Sequence, residues 1–284
     1  MQQPTTLHRS PSQLKTFTKC GERFRLERMV EPPLPKYPAA WTLLGTTVHA
    51  VAEYWEKTHR PEMTDQQIMD VFDWYYQAEL ANAMVEQPDL SLWTKTPAVK
   101  TTENDINLRR EEGRKQAVDY IRYAESAPWK PYVMADGSLA LEVPFEISLP
   151  SPEEPDYYDP VMVRGKVDLI KQWPDGQLTI CDMKTGSAED EVDDRQLGTY
   201  RVAMEMQYDL PIRYGEYWFT KTRLQRSSGM VDLSRWTPEF AAKQYYVLDE
   251  AVVNNLFLPN PTAKNCGFCE VKDYCSVLGS KSVT

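Results

Sequence analysis

Apolar positions change rhythm along the chain, and the change divides it. From Trp41 to about Thr58, Leu44, Val48, Val51, Ala52 and Trp55 recur three and four apart, which predicts one amphipathic helix. Thr64–Glu86 and Glu103–Ala124 predict two more, separated by a loop around Pro88, Pro97 and Thr101. Ahead of these, Ser10 and Ser12 precede a short helix through Leu14 and Phe17, with an expected left-handed cap at Cys20 and Gly21. The proline-rich stretch Glu31 to Pro38 then breaks the chain. After Pro131 the period shortens to two. Leu139–Leu149, Val161–Trp173 and Gln177–Lys184 predict strands, with Pro174-Asp175-Gly176 as the turn between the last two. Asp190–Tyr208 predicts a helix, Arg213–Thr220 and Gly229–Leu233 further strands, and Thr237–Leu256 a long helix. Helices, then a meander, then a helix and a strand define an α/β chain with a mixed central sheet flanked by helices. No internal repeat or low-complexity segment interrupts it.

The turn fixes a register. A three-residue loop with Gly176 in the left-handed bulge position pairs Trp173 with Gln177, and counting back sets Asp168 opposite Asp182 and Lys166 opposite Lys184. A two-residue loop would instead place Asp168 opposite Met183. Asp182 and Lys184 share a face in either case, because strand side chains alternate. Opposed carboxylates repel, and a divalent cation resolves the conflict; oxygen ligands of this kind suit Mg2+ or Mn2+. An Asp-x-Lys triplet alone is common on surface hairpins. Here Leu178 and Ile180 precede the acid and Thr185-Gly186 follow the lysine, a more specific context. Gly45, His49 and Glu53 share a helix face at four-residue spacing, as do Gln196 and Tyr200. Taken alone, His49 is more often a packed or capped core histidine than a metal ligand, and Gln196 with Tyr200 reads at least as well as an ordinary polar edge.

Composition changes the picture in two places. With 42% hydrophobic residues, including 8 Trp and 16 Tyr, a sizeable core needs no disulfide staples. No apolar run is long enough to cross a bilayer and the start has no secretion signal, so a reducing cytoplasmic setting is expected, with no membrane partner. Closely spaced cysteines there suggest a metal or cluster. Cys266, Cys269 and Cys275 form C-x2-C-x5-C, Cys20 is the candidate fourth ligand, and Cys181 reads as a buried small hydrophobe. Zinc and a cubane cluster both accept four thiolates, and spacing does not choose between them. The net charge of -10 lacks the usual basic footprint of a nucleic-acid protein, although LRREEGRK (108–115) and KTRLQR (221–226) are locally basic.

Together GTTVHAVAE, GKVDLI, CDMKTG and QLGTY, in this order, resemble the RecB-like branch of the PD-(D/E)XK nucleases, over roughly His8 to Cys275. The resemblance implies a restriction-endonuclease-like core in one nuclease domain spanning 1–284. Within it, 1–60 carries Cys20 and His49, 61–130 is a helical insertion, 131–235 is the catalytic core and 236–284 is the C-terminal helix and cysteine tail. It implies His49, Asp168 and Asp182 as metal ligands, Lys184 as catalytic lysine, and Gln196 with Tyr200 as a supporting pair. It further implies a 4Fe-4S cluster on Cys20, Cys266, Cys269 and Cys275, and a metal-dependent DNA exonuclease of recombination, repair or phage DNA processing, acting on single-stranded or duplex ends with a helicase or recombination protein as possible partner. The departure is Asp182, where much of the superfamily has Glu. The alternative from another class is a non-catalytic DNA-binding or assembly subunit that keeps the fold and the cluster.

Overall fold

The computed structural model describes residues 8–151, 160–186, 193–221, 226–227, 229–267 and 269–279. Its helices are α1 (Pro11–Lys19), α2 (Gly21–Arg28), α3 (Ala40–Lys57), α4 (Asp65–Glu86), α5 (Thr102–Ser126), α6 (Asp194–Tyr208), α7 (Pro238–Val253) and the short α8 (Ala263–Gly267). The strands are β1 (Lys130–Pro131), β2 (Leu141–Leu149), β3 (Val161–Gln172), β4 (Leu178–Lys184), β5 (Tyr214–Phe219), β6 (Arg226–Ser227) and β7 (Val231–Asp232). They form one sheet in the order β1-β3-β4-β5-β6, with β2 also on β3 and β7 also on β5. The β4–β5 pair is parallel and the others antiparallel, so the sheet is mixed, as expected. A parallel pair needs a crossover, and α6 supplies it.

Two apolar layers cover the sheet. On one side Val143, Val167, Ile180 and Phe219 pack with residues of α1, α2, α6 and α7; on the other Leu169, Cys181, Met183 and Trp218 pack with α3, α4 and α5. Cys181 is 3% exposed, a buried small residue. Among the described residues no helix is long and apolar enough to cross a membrane.

Sequence and structure differ at α2. Cys20 is extended (φ -162), the junction between α1 and α2, and Gly21 opens the second helix instead of capping the first. The glycine serves a close approach: its N–H donates to Leu258 O at 3.0 Å, and a Cβ there would sit 2.8 Å from Leu258 N. The strand expected over Gly229–Leu233 shrinks to Val231–Asp232, and the helix expected from Asp190 starts at Asp194, with residues 190–192 outside the described ones.

A second glycine sets the height of α6. A Cβ on Gly198 would fall 1.9 Å from Trp236 Cδ2, so the ring lies directly against the helix backbone midway between Gln196 and Tyr200. Trp236 Nε1 also donates to Asp194 Oδ2 at 3.1 Å.

Candidate metal centre

The β3–β4 turn takes the three-residue form. Trp173 N donates to Gln177 O at 2.9 Å, Gly176 has φ +86, and the ladder runs from Gln172 opposite Leu178 to Leu169 opposite Cys181. One step further along that register Asp168 meets Asp182. Asp168 Oδ2 accepts from Met183 N at 2.8 Å.

On its other side β3 pairs with β2, and there the alternation fails. Leu141 lies opposite Leu169 in the α3–α5 layer, yet Val143 opposite Val167 packs in the α6–α7 layer. Positions two apart on a regular strand share a face. The strand pair therefore rolls over between them, and the residue in the roll is Glu142, held at φ +48 in the left-handed region that side chains other than glycine rarely enter. The roll sets Glu142 beside Asp168. Glu142, Asp168 and Asp182 thus form a carboxylate row across β2, β3 and β4.

Helix α3 closes over this row. Gly45 lets the helix approach the chain after β4, since a Cβ there would be 3.3 Å from Thr185 Oγ1. One turn later His49 Nε2 lies 3.1 Å from Met183 O, while Nδ1 lies 3.7 Å from Asp168 Oδ2 and 3.9 Å from Glu142 Oε1. With Nε2 as donor, Nδ1 is free as a ligand atom facing two carboxylates. One ligand atom each of His49, Glu142 and Asp168 lie within 4.8 Å of one another. These residues also line an opening of about 350 Å³ with Glu53, Glu56 and Tyr120.

From α6, Gln196 Nε2 donates to Asp182 Oδ1 at 2.7 Å and to Tyr200 OH at 2.8 Å, and its Oε1 accepts from Lys184 Nζ at 3.2 Å. Lys184 Nζ makes a close ion pair with Asp182 Oδ2, and its ammonium lies 5.6 Å from the centre of the Tyr217 ring. Asp182 is 1% exposed, and Lys184 is the partner of its Oδ2. Burial first, and then the Asp182 carboxylate, push Asp168 up to about 7, against the pull of His49, Lys184 and the Met183 N–H. Burial pulls His49 down, but Glu142 and the two aspartates outweigh it and raise its pKa; His49 in turn lowers that of Glu142. The protein alone thus leaves the Asp168 carboxylate poorly compensated beside Asp182. Hard oxygen donors of three carboxylates with one imidazole, His49 Nδ1 facing Glu142 and Asp168, fit a small divalent cation.

All six residues expected at the site, His49, Asp168, Asp182, Lys184, Gln196 and Tyr200, converge here. Glu142 was missed. In the strand LALEVPFEISL it reads as one more outward polar position, and only the β2–β3 register brings it to Asp168.

The cysteines converge elsewhere. Cys20, Cys266, Cys269 and Cys275 line one opening of about 400 Å³ with Arg23, Asn260 and Leu278, and all four are free thiols. Asn260 N donates to Cys20 Sγ at 3.4 Å, and Ser276 N donates to Glu22 Oε1 at 3.2 Å, so α2 and the tail share contacts around it. Burial raises the Cys269 thiol, and the Arg23 guanidinium works against that rise.

Fold and site together define an acid–lysine centre on a mixed sheet, with donors for a divalent cation. Residues 8–276 match the family model of the PD-(D/E)XK nuclease superfamily, and the chain belongs to that superfamily. It is 31% identical over 276 residues to "Gene 69 protein" of Mycobacterium phage D29, covering 95% of this chain and 97% of that one. The "Gene 69 protein" of Mycobacterium phage L5 is 28% identical over 294 residues, covering 95% and 96%. The crystal structure of SSO0001 aligns with 84% of this chain and 95% of its own at a TM-score of 0.37 and 11% identity, too remote to bear on function.

Proposed function

We propose that this protein is a divalent-metal-dependent DNA exonuclease that processes DNA ends in phage recombination or repair, within the cytoplasm, alongside a helicase or recombination protein. The observation that carries the reading is the convergence of Asp168, Asp182 and Lys184 under His49. His49, Glu142, Asp168 and Asp182 would hold Mg2+ or Mn2+, which when bound polarises a phosphoryl oxygen and acidifies water. Lys184 lies where it can orient the attacking water and offset charge building on the phosphate. Gln196, anchored to Tyr200, holds Lys184 and Asp182 in one geometry. Water adds to phosphorus and gives up a proton to solvent, the P–O bond to the leaving nucleoside breaks, and the departing oxygen takes a proton from solvent. The phage origin of the curated relatives supports the setting.

Action from an end has a plain test. In Mg2+ or Mn2+, a linear duplex or single strand should be shortened progressively while a covalently closed circle of the same sequence persists. Nicking of the circle at a comparable rate would make the enzyme an endonuclease.

A 4Fe-4S cluster on Cys20, Cys266, Cys269 and Cys275 completes the proposal. The shared opening joins the start of α2 to the tail, so one cluster would cross-link distant parts of the chain and penalise mainly the unfolded state. Protein purified without oxygen should be brown, with iron and sulfide each about four per chain. Substituting Cys20 or Cys269 by Ser should lower both, whereas Cys181→Ser should not. Stoichiometric zinc without sulfide, in protein made with ample iron, would replace the cluster with a zinc site.

A further inference from the structure

A second ammonium, that of Lys15, lies within electrostatic reach of Lys184 and Asp182. Lys15 on α1 is half-buried, next to Leu14, which is 1% exposed, and α1 packs on α6 and β3, two of the elements that build the site. Among the described residues Lys15 Nζ forms no ion pair and no hydrogen bond. The charges that act on it are those of Lys184, Lys19, Asp182 and Asp193. Both carboxylates are already engaged: Asp182 holds Lys184 and Gln196, and Asp193 Oδ1 accepts from the backbone N and the guanidinium of Arg195, each at 3.0 Å. Burial first, and then the neighbouring Lys184, keep the Lys15 pKa below the ordinary lysine value. An ammonium that is desolvated, beside a like charge and lacking a counter-ion, costs the free protein energy that an incoming anion would return.

The opposite end of the carboxylate row is also flanked by a cation. Lys166 Nζ lies 3.8 Å from Glu142 Oε2. Carboxylates bracketed by ammonium groups suit a chain of phosphates crossing the row, with the metal-held phosphate in the middle.

We propose that Lys15 binds the DNA backbone phosphate next to the scissile one, on the Lys184 side of the site. The inference rests on the nuclease reading and makes Lys15 a substrate-binding residue. A phosphate held by one lysine adds about 0.7 to 0.9 to the slope of log affinity against log salt.

The test uses the full-length protein and a short fluorescent DNA strand, with Ca2+ replacing Mg2+ so that binding is read without cleavage. Lys15→Gln should weaken binding about tenfold and lower the salt slope by close to one. In Mg2+ its KM should rise by the same factor with kcat within a few-fold. Lys15→Arg should restore both, and Lys19→Gln, an exposed charge one turn away, should behave as wild type. Lys15→Gln should also melt at or slightly above the wild type, since it loses no hydrogen bond or ion pair and removes a desolvated charge. Unchanged affinity and salt slope in Lys15→Gln, or a fall in kcat alone, overturns the inference while leaving the nuclease reading in place. A Lys15→Arg protein that binds as poorly as Lys15→Gln also overturns it. A wild type that binds DNA without cleaving it removes the nuclease reading, and the binding series still decides Lys15. A wild type that neither binds nor cleaves ends both.

Discussion

Asp182→Asn and Lys184→Ala should each lower phosphodiester hydrolysis by about 10²- to 10³-fold, the scale seen when a group aimed at transition-state charge is removed. The two act as one unit. Asp182 Oδ2 meets Lys184 Nζ, and Gln196 touches both partners, so either change removes a charge and also frees the other from its position. The double variant should therefore be scarcely worse than either single one. The asparagine keeps the shape of the aspartate and an acceptor for Gln196, so the fold should survive, as a melting curve in the absence of metal can verify. Cleavage by Lys184→Ala at the wild-type rate would remove this lysine from the chemistry.

Asp168→Asn should make the metal-free protein more stable at pH 8 and incapable of gaining stability from metal. The sign follows from the raised pKa. A carboxyl at about 7 in the folded chain and near 4 unfolded is easier to ionise once unfolded, so its ionisation destabilises the fold progressively as pH rises from about 4 to 7 and fully above that. The penalty is on the order of 2–4 kcal/mol, or several degrees in Tm, and the asparagine escapes it. Below pH 4 the two proteins should melt together. Mn2+ at a hundred times its Kd should return about 2.7 kcal/mol to the wild type at pH 8. It should return much less at pH 6, where Asp168 and His49 must give up protons before binding. Equal stabilisation of both proteins by Mn2+ would place the ion away from Asp168.

Much of the centre was legible because local chemistry specified it. Gly176 forces the turn, the turn forces the register, and the register delivers Asp168 to Asp182 without any tertiary information. The amphipathic stripe of α3 placed His49 on a helix, although its approach to Met183 O depends on Gly45 against Thr185. What escaped depends on docking. α2 (GERFRLER) is mostly charged, and its buried Phe24 and Leu26 are too few to show a period. Glu142 joins the site through a roll of the β2–β3 pair that strict alternation excludes. Lys15 matters only once α1 lies against α6. Of the two basic stretches, LRREEGRK became the surface of α5, where Arg110 and Arg114 pair with Asp73. Most of KTRLQR lies outside the described residues.

The central claim is that this acid–lysine centre hydrolyses DNA with a divalent metal. Its most direct test is a time course of purified protein with linear duplex and single-stranded DNA in Mg2+ or Mn2+, with EDTA and Lys184→Ala run alongside. Progressive shortening by the wild type that both EDTA and Lys184→Ala stop is the predicted result. Intact DNA with a folded, metal-saturated wild type, or equal cleavage by Lys184→Ala, would contradict it.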